Sequence, residues 1–286
     1  MEIKKIGVVG AGTMGNGIAQ VAAQNGYDVI MRDIKDEFVE RGLKNIEKFL
    51  TKSVEKGKIE ASEKDAVLSR IKGTTDMNDL KDSDLVVEVV IEDLELKKKV
   101  FKELDELCRP EVILASNTSS MSITEIAAAT NRPEKVCGMH FFNPVPLMKL
   151  VEIIRGVATS DETIAVCTEL AQKMGKITVE VKKDSPGFIV NRCMIPHMIE
   201  AIRIVEEGVA SIEDVDTAVK NGLNYPMGPF ELMDLTGIDI AYFVTEYFFK
   251  ELNKELKWAA PTLMKNMIRA NKLGRKTGAG WYDYGK

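Results

Sequence analysis

A short β-branched run, Ile3-Lys4-Lys5-Ile6-Gly7-Val8-Val9, leads directly into Gly10-Ala11-Gly12-Thr13-Met14-Gly15. A strand that delivers the chain into a GxGxxG turn, with a helical pattern beyond it, is compatible with few folds. The helical pattern covers roughly 14–25 and stops at Asn25-Gly26, where glycine suits a helix C-terminus. A second strand-like run, 27–32, ends in an acid, Asp33. The three glycines do different things. Gly10 permits the tight turn, Gly12 lets the backbone approach a pyrophosphate, and Gly15 allows close packing of helix on strand. Ala11, Thr13 and Met14 complete the turn. The pyrophosphate then meets the unbonded N–H groups and the positive end of the helix dipole. Asp33 is placed to accept hydrogen bonds from the adenosine ribose. A carboxylate there repels a 2′-phosphate, which favours NAD; Arg32 beside it keeps NADP open.

The rest of the chain extends this unit. Residues 36–72 are rich in Lys and Glu, have a helical period and suggest a helical pair turning at Gly57. Strands are expected at 84–91, 112–115, 135–139, about 148–154 and 177–182, with helices at 94–107, 122–129 and 161–174 between them. Such alternation predicts a mostly parallel sheet covered on both faces. The character changes at Asp184-Ser185-Pro186-Gly187. Beyond it, 188–206, 211–221, 229–235, 237–252 and 260–271 all have helical patterns, and no strand pattern returns until the last few residues. A chain of 286 residues accommodates two domains. The expected fold class is α/β: a Rossmann-type, mostly parallel sheet domain over 1–184, then an all-helical C-terminal domain over 185–286.

The formal net charge of −5 argues against a nucleic-acid partner, which would call for a basic surplus. No apolar run approaches the ~20 residues that span a bilayer, and the strand pattern starts too early for a signal peptide, so no membrane association and a cytoplasmic location are expected. Cys108, Cys137, Cys167 and Cys193 form no paired motif and suit reduced thiols better than a metal site. A GxSxG nucleophile elbow is absent.

The chain has only two histidines. His140 follows the strand expected at 135–139, at the end of the sheet where open α/β folds place their ligands. Glu152 comes twelve residues later, on the next strand, with enough chain between them to turn and return alongside. A carboxylate against imidazole fixes the ring tautomer and raises its basicity, which suits proton exchange near neutral pH. A structural histidine fits the same residues. His197, in a helical pattern beside Pro196, suits packing or the surface. The run Ser116-Asn117-Thr118-Ser119-Ser120 can cap a helix or bind a ligand.

Seven stretches in order carry a resemblance: VGAGTMGNGIA at 9–19, DLVVEVVIEDLELKKKVF at 84–101, ASNTSSMSIT at 115–124, HFFNPVPLMKLVEII at 140–154, DSPGFIVNR at 184–192, YPMGPFELMDLTG at 225–237 and KTGAGWYDY at 276–284. Together the chain resembles the 3-hydroxyacyl-CoA dehydrogenase family, and within it the short bacterial 3-hydroxybutyryl-CoA enzymes. The resemblance implies NAD(H)-dependent interconversion of (3S)-3-hydroxyacyl-CoA and 3-ketoacyl-CoA, with an acyl-CoA as partner and a homodimer through the C-terminal domain. By position it makes His140 and Glu152 the catalytic dyad, with Ser119 and Asn191 hydrogen-bonding the substrate. Asp33, Glu92, Lys97, Asn117, Ser119, Asn143 and Lys276 become cofactor contacts. Lys56 falls near the CoA phosphates, and Lys52, one helical turn away, could join it. All four of these lysines also suit a solvated surface. Two rivals stay open: a β-hydroxyacid dehydrogenase acting on a free carboxylate, and a catalytically silent dinucleotide-binding protein.

Overall fold

The computed structural model describes Glu2–Gly285. Its contacts divide the chain into one compact unit that ends at Ser185 and another that starts at Pro186.

In the first unit, runs too short for helices become strands, buried in the middle of the sheet and partly exposed at its edges β3 and β8. They are β1 (Lys5–Val9), β2 (Asp28–Arg32), β3 (Ile71–Thr74), β4 (Leu85–Glu88), β5 (Ile113–Ser116), β6 (Val136–Phe141), β7 (Leu150–Ile154) and β8 (Ile177–Val181). The helices are α1 (Thr13–Gln24), α2 (Asp36–Glu55), α3 (Ala61–Ser69), α4 (Leu94–Leu107), α5 (Ile123–Ala127) and α6 (Asp161–Lys173). The strands form one sheet in the order β3-β2-β1-β4-β5-β6-β7-β8. Every neighbouring pair is parallel except β6 and β7. Val8, Val86 and Leu114 are fully buried, each stabilising the fold by about 1.5–3 kcal/mol.

Two expectations need correction. The helical pattern expected to reach residue 72 ends at Ser69, and Ile71–Thr74 is an edge strand. Its four residues, Ile-Lys-Gly-Thr, are too few and too mixed to show an alternation. Gly73 is needed there, because a Cβ would stand 2.4 Å from Val39 Cγ1 of α2. The strand expected at 135–139 continues to Phe141, since antiparallel pairing with β7 extends it. His140 therefore lies within the strand and does not follow it.

A buried ion pair closes the end of α4. Arg132 donates to Asp105 Oδ1 at 2.6 Å and to the main-chain oxygens of Asp105, Cys108 and Arg109. The Asp105 oxygen is one of the terminal carbonyls that the helix itself leaves unbonded, and the other two belong to the segment just past it. Burial opposes the charge on Asp105, but hydrogen bonds from Asn131 and Arg132 outweigh it and hold the carboxyl below its ordinary 3.8.

The second unit packs α7 (Val190–Glu206), α8 (Ile212–Gly222), α9 (Pro229–Thr236), α10 (Ile238–Glu251) and α11 (Thr262–Arg269) around Ile199, Ile202, Phe230, Met233 and Phe248. Two buried acids tie its C-terminal segment down. Asp216 accepts from the N–H groups of Phe230 and Glu231 and from the Tyr282 hydroxyl. Asp234 accepts from the N–H groups of Trp281 and Tyr282 and from the Tyr284 hydroxyl. Gly228 and Gly280 make room for them, since a Cβ at either would stand 2.3 or 2.0 Å from Asp216 or Asp234. Among the described residues no helix is long and apolar enough to cross a membrane.

Arg132→Met leaves Asp105 buried without its partner and should cost about 3–5 kcal/mol. Because the Asp105 pKa is depressed in the fold, the ionic contribution is complete above the ordinary carboxylate range. It is lost as pH falls through the lowered value. Thermal melts at several pH values should show the gap in Tm between wild type and variant narrowing in acid. A gap that does not change with pH contradicts this account.

Candidate active site

Strands β1, β2, β4, β5 and β6 are mutually parallel, so the segments that follow them leave the sheet at one edge. The sheet order reverses between β1 and β4, and such a switch point opens a crevice at that edge.

The glycine turn follows β1. Gly10 has φ +118°, and a Cβ on it would stand 2.5 Å from the Val89 carbonyl oxygen. A Cβ on Gly15 would stand 1.8 Å from the Gly10 oxygen, so α1 packs on the turn only with glycine there. Gly12 differs: nothing lies within 4 Å of where its Cβ would be. It begins α1, which has no side-chain cap and no acid in its first turn. Ala11 is buried, Thr13 is exposed and Met14 is half-buried. Asp33, just past β2, accepts from the Ala11 N–H at 2.7 Å and from the Ile34 N–H at 2.7 Å. A carboxylate is thereby fixed beside an uncapped helix N-terminus with open space in front of Gly12. That arrangement fits a dinucleotide.

A buried polar cluster follows β4. Glu88, fully buried at the end of that strand, accepts from the Val90 N–H (2.7 Å), Lys97 Nζ (2.8 Å) and Ser116 Oγ (2.7 Å). Lys97 is not a solvated surface charge. It is 1 % exposed, and its ammonium also lies 3.3 Å from Glu92. Glu92 Oε1 in turn accepts from Thr118 Oγ1 (2.5 Å), the Ser119 N–H (2.9 Å) and Ser119 Oγ (3.4 Å). Burial works against the Glu92 charge, but the Lys97 ammonium and these hydrogen bonds prevail and lower its pKa from 4.5. Asn117 bonds β4 and β6 together: its N–H donates to the Glu88 carbonyl, and its Oδ1 accepts from the Phe141 N–H at 2.9 Å. Ser122 caps α5.

The dyad lies in the sheet's antiparallel pairing of β6 with β7. His140 on β6 is the direct cross-strand partner of Glu152 on β7. His140 Nδ1 and Glu152 Oε2 are 2.7 Å apart, with the residues 5 % and 0 % exposed. A carboxylate only accepts, so this contact selects the neutral tautomer with its proton on Nδ1 and its lone pair on Nε2. The Phe142 ring lies 4.4 Å from the imidazole. Asn143 is exposed on the following turn.

The structure thus brings together His140 with Glu152, and Glu92 with Lys97 and Ser119. Lys52 and Lys56 are both exposed at the end of α2. Asn191 and Lys276 belong to the second unit. There Asn191 stands in the first turn of α7, and Lys276 pairs with Asp239 at 2.6 Å. Glu88 was missed by the sequence reasoning, although a lone carboxylate inside the apolar run Leu85–Val90 was an available signal. Thr118 lies in the polar run 116–120, which was singled out without a role for that residue.

Comparison with known proteins agrees with this layout. Residues 5–185 match the family model described as 3-hydroxyacyl-CoA dehydrogenase, NAD binding domain, and residues 187–284 match the model of the C-terminal domain of the same family. A 3-hydroxybutyryl-CoA dehydrogenase from Clostridioides difficile is 49 % identical over 99 % of this chain and 100 % of its own length. The mitochondrial hydroxyacyl-coenzyme A dehydrogenase of Sus scrofa is 43 % identical over 99 % of this chain and 91 % of its own. The crystal structure of an (S)-3-hydroxybutyryl-CoA dehydrogenase from Ralstonia eutropha superposes with a TM-score of 0.97 at 46 % identity, covering all of both chains.

Gly12→Val separates binding from folding. The backbone there, φ −64° and ψ −171°, suits any residue, and no protein atom lies within 4 Å of an added Cβ. Tm should be unchanged while NADH affinity, followed by fluorescence, falls at least about tenfold, or ~1.4 kcal/mol. Unaltered NADH binding contradicts the placement of the pyrophosphate over this turn.

Proposed function

The chain belongs to the 3-hydroxyacyl-CoA dehydrogenase family, and we propose that it interconverts (3S)-3-hydroxyacyl-CoA thioesters, 3-hydroxybutyryl-CoA foremost, and their 3-keto partners such as acetoacetyl-CoA. The observation that carries this reading is the buried His140–Glu152 pair, on the same sheet as the glycine turn. NAD, when bound, supplies the hydride acceptor for oxidation and the donor for reduction.

Gly10 to Gly15 and the N-terminus of α1 receive the pyrophosphate, and Asp33 receives the adenosine ribose. A carboxylate at that position favours NAD over NADP. Glu92, Asn117, Ser119, Asn143 and Lys276 are assigned to the cofactor by their match to the family pattern. Lys97 acts through Glu92, because its ammonium is engaged by Glu88 and Glu92.

In oxidation the substrate's 3-hydroxyl donates to His140 Nε2, which takes the proton as C3 loses its hydride. Glu152 stabilises the imidazolium that results. Ser119 and Asn191 hydrogen-bond substrate oxygen atoms, and the exposed ammonium groups of Lys52 and Lys56 meet the CoA phosphates. In reduction His140 returns the proton. We place the enzyme in the cytoplasm, as a homodimer formed through its helical second unit, with no nucleic-acid or membrane partner.

NADH-linked reduction of acetoacetyl-CoA tests the assignment. His140→Ala should lower kcat by about 10²–10⁴-fold, the usual worth of general acid–base catalysis, with NADH binding retained. Near-normal turnover in that variant refutes the role of His140.

Glu152→Gln can offer an N–H to Nδ1, which favours the tautomer with its proton on Nε2. Turnover at neutral pH should drop by about 10²-fold or more without loss of fold. An unchanged pH–rate profile removes Glu152 from the mechanism.

A further inference from the structure

Lysine is among the residues least often buried without a partner, because its ammonium is strongly hydrated. Lys176, between α6 and β8, is 8 % exposed. Burial alone accounts for the fall of its pKa from 10.5, with no neighbouring charge contributing. Its Nζ donates instead to two main-chain oxygens, Val145 at 2.5 Å and Met148 at 2.8 Å.

Both oxygens belong to the turn of residues 142–149, which joins His140's strand to Glu152's. The turn has a few bonds of its own, from the N–H groups of Leu147 and Met148 to the Pro144 oxygen. Much of it is exposed, with Leu147 at 61 % and Met148 at 41 %. It is anchored at Val145, which is 2 % exposed. Val145 lies against α1 so closely that a Cβ on Gly17 would stand 2.9 Å from its own Cβ. On the other side the Lys176 ammonium holds the Val145 carbonyl. Beyond this turn the β6–β7 ladder begins with Phe141↔Val151, and His140↔Glu152 is the very next pair. Any fraying from the turn therefore reaches the dyad after one pair.

We propose that Lys176 is a positioning residue for proton transfer: by holding the carbonyl oxygens of Val145 and Met148, it fixes the 142–149 turn, and with it the His140–Glu152 register and the placement of Asn143. The inference rests on His140 being the proton-transfer group. Lys176 touches no reacting atom. It sets the distance and angle at which the imidazole and its carboxylate meet, and small misplacements of such groups are costly in rate.

The test compares wild type, Lys176→Met and Lys176→Arg in NADH-linked reduction of acetoacetyl-CoA. It adds the NMR chemical shifts of the His140 ring nitrogens, which only one other histidine accompanies. Lys176→Met should lower kcat about tenfold or more, with the KM for NADH within about threefold, and should move the His140 nitrogen shifts as the Glu152 hydrogen bond changes. Lys176→Arg keeps the charge and can donate to both oxygens, so it should stay within about threefold of wild type. If Lys176→Met does not fold, Lys176→Gln, which retains a donor, carries the same readouts. A variant that loses only Tm, with kcat and His140 shifts as in wild type, overturns the inference. A wild-type chain without turnover overturns the dehydrogenase reading instead, and the NMR shifts still decide whether Lys176 governs the imidazole's hydrogen bond.

Discussion

A carboxylate with no exposure to water is stable only where hydrogen bonds replace its hydration. Glu152 meets that condition at the cross-strand position opposite His140. The same contact that satisfies the acid also dictates which ring nitrogen carries the proton, so stability and chemistry share one hydrogen bond. It exists only because β7 reverses direction against β6 while β1, β2, β4 and β5 stay parallel. A parallel return would have needed a long crossover and would have carried Glu152 away from the histidine.

The polar cluster after β4 applies the same logic two strands over. Glu88 is buried and neutralised by Lys97, and Lys97 in turn faces Glu92, which gathers the hydroxyls of Thr118 and Ser119 and the Ser119 N–H. Each member satisfies a neighbour that would otherwise be costly to bury. The result is a serine whose backbone and hydroxyl both point to one acid. Pre-organisation of that kind matters wherever a substrate must be held against a cofactor.

How far these features were legible depends on whether their partners lie near in sequence. The α4 helix, expected at 94–107, runs over Leu94–Leu107, because its apolar period and the Asp93 cap are local signals. His140 and Glu152 were paired from spacing, since a short return between strands is also local. Strand β3 was lost because Lys72 and Gly73 erase its pattern, and only its pairing with β2 makes it a strand. Lys97 shares the helical face of Val100, Phe101 and Leu104, which separates it from Lys98 and Lys99, but its partner Glu88 lies on a strand and is met only in the fold. Asp216 and Asp234 belong to recognisable stretches, yet their role in tying down Tyr282 and Tyr284 emerges only once the chain is folded.

The order of the strands also governs how the molecule assembles. The central pairing, Val9 with Glu88, joins segments separated by all of α1, β2, α2, α3 and β3. Non-local pairings of this type are slow to form, since loop entropy is lost before contacts compensate. The bend at Gly10 lies against the Val89 carbonyl, so the glycine turn has no floor until β4 has slotted in beside β1. Dinucleotide affinity thereby depends on a pairing between distant parts of the chain and not on the glycine turn alone.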